Sequence, residues 1–140
     1  MNKKYSFLFP GQGSQYKGMG LEELNSNNQA SEFYSKAEKI LGYKITDILN
    51  DDKLNRTLYT QPAIFINSII QDSILKENNI YPNAVAGHSL GEFSALVSSE
   101  VLTFNDALEI IKIRANEMEM ASKNNEGGML AIIGANPSEI

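Results

Sequence analysis

None of the 140 residues is cysteine, so disulfide staples, thiolate-bound zinc and a cysteine nucleophile are all excluded. Nothing in the composition points to an oxidising compartment. No apolar run approaches the roughly 20 residues that span a bilayer. Lys3 and Lys4, ahead of Tyr5-Ser6-Phe7-Leu8-Phe9, look superficially like the opening of a signal peptide, but Pro10 and Gly11 end the run too early. The segment reads as a buried first strand, and the chain is expected to be soluble and cytoplasmic with no membrane partner. Positive charge is scarce as well: 12 Lys and Arg stand against 17 Asp and Glu, a net charge of −5 with a pI near 4.9. The cations are scattered, which argues against nucleic acid, where phosphate neutralisation dominates binding. Internal repeats, low-complexity tracts and coiled-coil heptads are absent, and neither a metal site nor a bound cofactor is expected.

The hydrophobic share of 42% in a chain of this length suits one core, hence one domain or part of one. After the first strand, Ala30, Phe33, Tyr34, Ala37, Ile40 and Leu41 recur at helical spacing and stop at Gly42, a natural residue just past a helix end. Pro62 at a first-turn position then opens a second helix over Ala63 to Glu77. Tyr81-Pro82-Asn83 breaks it ahead of a short apolar strand, Ala84-Val85-Ala86. Thr103-Phe104-Asn105-Asp106 resembles a capping box that starts a helix reaching about Ala121. Strands alternating with helices imply an α/β fold: a parallel sheet flanked by helices. Near the end, Met129-Leu130-Ala131-Ile132-Ile133 reads as a strand, and Asn136-Pro137-Ser138-Glu139 as the first turn of a further helix. A helix announced but not completed is the expected mark of truncation within a domain; a frayed tail is the alternative.

The most informative stretch is Gly87-His88-Ser89-Leu90-Gly91, directly after that short strand. It has the G-x-S-x-G form of a nucleophile elbow, in which a sharp strand-to-helix turn thrusts a serine hydroxyl into a cleft and glycines two residues either side avoid collision. A helix starting at Ser89 would point its positive end at that hydroxyl and at any oxyanion beside it. The bland alternative is a surface turn that contains serine. The glycine-rich loop from Gly11 to Gly20 fits neither phosphate-binding signature, because Tyr16 stands where a dinucleotide fold needs glycine and Met19 where a P-loop needs lysine. Either it brings free backbone amides close to a ligand or a catalytic centre, or it merely connects strand to helix. Arg114 interrupts a helical stripe of Ala107, Ile111, Met118 and Ala121. A desolvated guanidinium requires a partner, so a carboxylate or phosphate is expected there, from the substrate or from an acidic residue of the chain itself.

Taken together, Phe9-Pro10-Gly11-Gln12-Gly13-Ser14-Gln15, Thr60-Gln61-Pro62-Ala63, Gly87-His88-Ser89-Leu90-Gly91-Glu92 and the Arg114 helix resemble the malonyl-CoA:acyl-carrier-protein transacylase family, a pattern shared with acyltransferase domains of polyketide synthases. The resemblance implies an incomplete α/β-hydrolase-like large subdomain over residues 1–126 and, over 127–140, the first strand of a ferredoxin-like small subdomain. It implies that Ser89 takes malonyl from malonyl-CoA as an acyl-serine ester, which the phosphopantetheine thiol of acyl carrier protein then attacks, as in fatty acid biosynthesis. The backbone amides of Gln12 and Leu90 would form the oxyanion hole, and Arg114 would clamp the malonyl carboxylate. His88 and Met118 match substrate-pocket positions, His88 as a hydrogen-bonded wall and not as the base. A monomer is expected at full length.

One departure matters. A serine needs a base, and the family supplies a histidine from further along the chain, whereas no histidine follows His88 here. These 140 residues alone are therefore expected to be a poor catalyst. Two other readings stay open: a serine esterase or thioesterase that releases acid to water, and a non-catalytic piece that completes its site with a second chain.

Overall fold

A computed structural model describes residues 3–124, 134, 136 and 138. Strand β1 (Ser6–Phe9) pairs in parallel with β2 (Ala84–Gly87), Ser6 opposite Ala84 and Phe9 opposite Gly87. Asn83 N–H donates to Tyr5 O at 2.8 Å and His88 N–H to Phe9 O at 3.0 Å, so the pairing is closed at both ends. Parallel neighbours need a long crossover, and helices fill it. These are α1 (Leu21–Ser26), α2 (Asn28–Leu41) and α3 (Thr57–Glu77), with short 3₁₀ turns at Ile45–Asp47 and Asp52–Asn55. Helices α4 (Gly91–Ser98) and α5 (Phe104–Asn124) follow β2.

The second of these helices matches its sequence pattern. Ala30, Tyr34, Ala37 and Leu41 are buried, Asn27 Oδ1 accepts from Gln29 and Ala30 N–H, and Gly42 ends the helix at φ 82°. Three expectations need correction. Helix α3 starts at Thr57, placing Pro62 in its second turn and not its first. The earlier start is held by Thr60, whose hydroxyl donates to Leu54 O at 2.6 Å and Arg56 O at 2.9 Å. Pro62 has no N–H to offer the Leu58 carbonyl, a cost that packing on all sides of α3 outweighs. Secondly, β1 is not a buried strand: Phe9 is covered, but Leu8 is 78% exposed because nothing among the described residues covers its side of the sheet. Thirdly, the apolar stripe of α5 is buried at Ala107, Leu108, Ile111 and Ala115, while Met118 and Ala121 are exposed. The expected cap at its start is present, with Asp106 N–H donating to Thr103 Oγ1 at 3.1 Å.

The core is built around α3. Ile64, Phe65, Ile66, Ile69 and Ile70 meet Tyr34 and Ala37 of α2 and Leu108 and Ile111 of α5. Phe104 stacks on Phe65 with ring centroids 5.4 Å apart and tilts against Phe33 at 4.9 Å. The strand expected over 129–133 lies outside the described residues. So does most of the 136–139 turn, and with it the proposed second subdomain.

Candidate active site

Chain direction changes sharply between β2 and α4, and Ser89 sits on that bend. Its φ is 53°, a left-handed conformation that a residue with a Cβ adopts only at a cost of roughly 1–3 kcal/mol. Leu90 is already helical at φ −54° and ψ −38°, and α4 begins at Gly91, two residues later than the sequence pattern places it. The glycines are there for space: a Cβ on Gly87 would strike the Gly91 backbone, and one on Gly91 would strike the Phe9 carbonyl. Ser89 is consequently exposed while Leu90 is wholly buried.

The glycine-rich loop comes up against this bend. A Cβ on Gly11 would lie 2.6 Å from His88 O and 2.8 Å from His88 Nδ1, so only glycine permits the approach. His88 itself is exposed, its ring walling the loop side. The Gln12 side chain turns away, its Nε2 donating to Thr57 Oγ1 at 2.9 Å. Among the described residues no acceptor takes the backbone N–H of Gln12 or of Leu90. One of these unpaired donors directly follows the serine, and the other directly follows Gly11, the residue packed against His88.

Arg114 reaches the same place from α5. Its Nη2 donates to Ser89 Oγ at 3.0 Å, its Nη1 donates to Gln61 Oε1, and its guanidinium lies 5.9 Å from the centre of the Phe93 ring. Gln61 is completely buried, and its Nε2 contacts Met118 Sδ at 3.2 Å. The internal salt bridge expected as one alternative is therefore not what holds Arg114: among the described residues it meets neutral oxygens and no carboxylate. A positive charge so placed is left to attract an anion. Ser89, Leu90, Gln12, Arg114, His88 and Met118 are all brought to this one region.

Residues 6–139 match the family described as the acyl transferase domain. The chain belongs to that family. Within it, this chain is 40% identical over 134 residues to the malonyl CoA-acyl carrier protein transacylase of Staphylococcus aureus strain MSSA476, covering 94% of this chain and 43% of that protein. The enzyme of the same name from Bacillus subtilis strain 168 is also 40% identical, with 94% and 42% covered. The crystal structure of the Synechocystis malonyl-CoA:ACP transacylase superposes with a TM-score of 0.83 at 40% identity, over 86% of this chain and 41% of that one. The chain spans less than half the length of these relatives.

Gln61 lies in the Thr60-Gln61-Pro62-Ala63 motif, where the sequence alone assigns it no role, and the fold places it against Arg114. Its signal is a lone amide leading an apolar run, Pro62-Ala63-Ile64-Phe65-Ile66, on a helix packed all round. A buried amide in such a run must have a hydrogen-bond partner, and here that partner is Arg114. Among the described residues there is no cluster of three or more His, Asp or Glu fit for a metal, and no helix long and apolar enough to cross a membrane.

Proposed function

We propose that this acyl transferase chain carries the acyl-accepting half of a malonyltransferase site, moving malonyl from malonyl-CoA to the phosphopantetheine thiol of acyl carrier protein. The observation that carries the reading is the Arg114 Nη2 contact to Ser89 Oγ at 3.0 Å, made by a guanidinium that no acidic residue neutralises among the described residues. A carboxylate one carbon removed from a reacting carbonyl would replace Ser89 Oγ as the partner of Arg114 while its carbonyl stands at the freed hydroxyl. Ser89 Oγ attacks the thioester carbonyl, the C–S bond breaks, and coenzyme A leaves as the thiol with the serine proton. The carrier thiol then attacks the ester carbonyl, forming a new thioester and returning a proton to Ser89 Oγ.

The turn at Ser89 is the nucleophile elbow of this scheme. The Gln12 and Leu90 amides donate to the oxyanion that forms in each half. His88 and Met118 wall the acyl pocket. Arg114 is a donor only and cannot take the serine proton. The base is the histidine that the resemblance places further along the family's chain, so the 140 residues alone transfer malonyl poorly.

Peptide mass spectrometry after incubation of the full-length protein with malonyl-CoA should find a malonyl adduct on Ser89, absent in Ser89→Ala. An Arg114→Ala variant should lose malonyl transfer by about a hundredfold while plain acetyl transfer changes little, because the lost contact is to the extra carboxylate. An adduct elsewhere, or ready ester hydrolysis that survives Arg114→Ala, would favour a hydrolase instead.

A further inference from the structure

The loop that brings Gly11 against His88 is fastened to the segment ahead of α3 by side chains that the transfer scheme does not use. Gln15 Nε2 donates to Asn55 Oδ1 at 3.2 Å, and Lys17 Nζ pairs with Asp52 Oδ1 at 2.7 Å. Asn55 closes the 3₁₀ turn Asp52–Asn55, whose Leu54 is buried and whose Leu54 carbonyl receives the Thr60 hydroxyl at 2.6 Å. The loop is thus tied to a platform that is itself anchored on the core.

Gln15 does something more specific than tethering. Its Oε1 accepts the backbone N–H of Gly13 at 2.9 Å, at a position where φ is 108° and only glycine is comfortable. A carboxamide has one accepting end and one donating end, so the contact of Nε2 with Asn55 fixes Oε1 toward Gly13. Of two consecutive amides in the loop, Gly13 is occupied by Gln15 Oε1 and Gln12 remains without an acceptor among the described residues. We infer that Gln15 and Asn55 are positioning residues, a relay that takes up the Gly13 amide and so sets the loop with its Gln12 amide as the donor offered at Ser89. This inference rests on the oxyanion role of Gln12 proposed above.

Both residues lie in a solvent-facing contact, so their replacement should leave folding intact. In the full-length enzyme, Gln15→Leu should slow single-turnover malonylation of Ser89 by about ten- to a hundredfold, as expected for a displaced oxyanion donor, with KM for malonyl-CoA within about twofold. Asn55→Leu should show the same split to a lesser degree. Asn55→Asp keeps an acceptor for Gln15 Nε2 and should stay within about twofold of the parent. Amide hydrogen exchange gives a readout apart from catalysis: the Gly13 N–H should exchange faster in both leucine variants and not in Asn55→Asp. Unchanged Gly13 exchange in Gln15→Leu overturns the relay, as does faster exchange with malonylation at full rate. If Ser89→Ala blocks labelling while Gln15→Leu acylates normally, the relay alone falls; if Ser89→Ala is still labelled, the proposed function falls and takes the relay with it.

Discussion

Arg114 shows how much one residue's meaning depends on its neighbours. On its helix it is a charge among apolar residues; in the fold it is a fork with one tine on the buried Gln61 and the other on Ser89. Gln61 therefore aims the guanidinium, and Gln61→Leu should leave it free to swing. A hydrogen bond to a charged group contributes about 1.5–3 kcal/mol, so kcat/KM for malonyl-CoA should fall by roughly ten- to a hundredfold. Acetyl-CoA, with no carboxylate to lose, should be much less affected. Parallel steady-state measurements on the two thioesters check this, and an equal loss for both would mean Gln61 serves packing alone. Gly11 carries a comparable constraint by shape: any side chain there meets His88 and drives the loop off the bend.

At the scale of elements, the helices that converge on Ser89 are latched to one another by charges away from it. Asp72 of α3 is buried, accepting from Ser98 Oγ at 2.6 Å and pairing with Lys76 Nζ at 2.7 Å, which ties α3 to the end of α4. Arg56, just before α3, pairs with Glu119 of α5 at 2.7 Å. The Arg56 hydrogen bond, helped by the Leu58 backbone N–H, holds the Glu119 carboxyl below its ordinary 4.5. With the folded value depressed, the latch contributes stability above the ordinary value and loses it as pH falls through the folded one. Thermal melts of the parent and Glu119→Gln should differ by a constant amount at neutral pH and converge in acid. The gap should be small and shrink with salt, since Arg56 is 44% exposed on its side chain. A gap that widens in acid would contradict the assignment.

At the scale of the whole molecule, burial among the described residues lies in helix packing and not in the sheet. Two paired strands are marginal by themselves, and most of their residues are exposed or half-buried, whereas α3 is enclosed by α2, α4 and α5. Amide exchange should accordingly be slowest over Ile64–Ile70 and distinctly faster in β1 and β2. Phe65→Ala should cost about 3–5 kcal/mol in denaturant unfolding, because the ring is fully buried and stacked on Phe104. Strand amides that outlast those of α3 would show that the sheet is the folding core.

Local chemistry alone was enough to read the strand-turn-helix around Ser89, the end of α2 and the start of α5, because glycine spacing, Gly42 and Thr103 act within a few residues of themselves. The serine, the loop and the arginine were legible as motifs for the same reason. What tertiary structure decided was the company each keeps: that Arg114 rests on Gln61 instead of an acid, that α3 begins five residues before Pro62, and that Leu8 faces outward. Each depends on partners far away in sequence, since hydrogen bonding and burial are settled by which segments meet in space, and local spacing carries no record of that meeting.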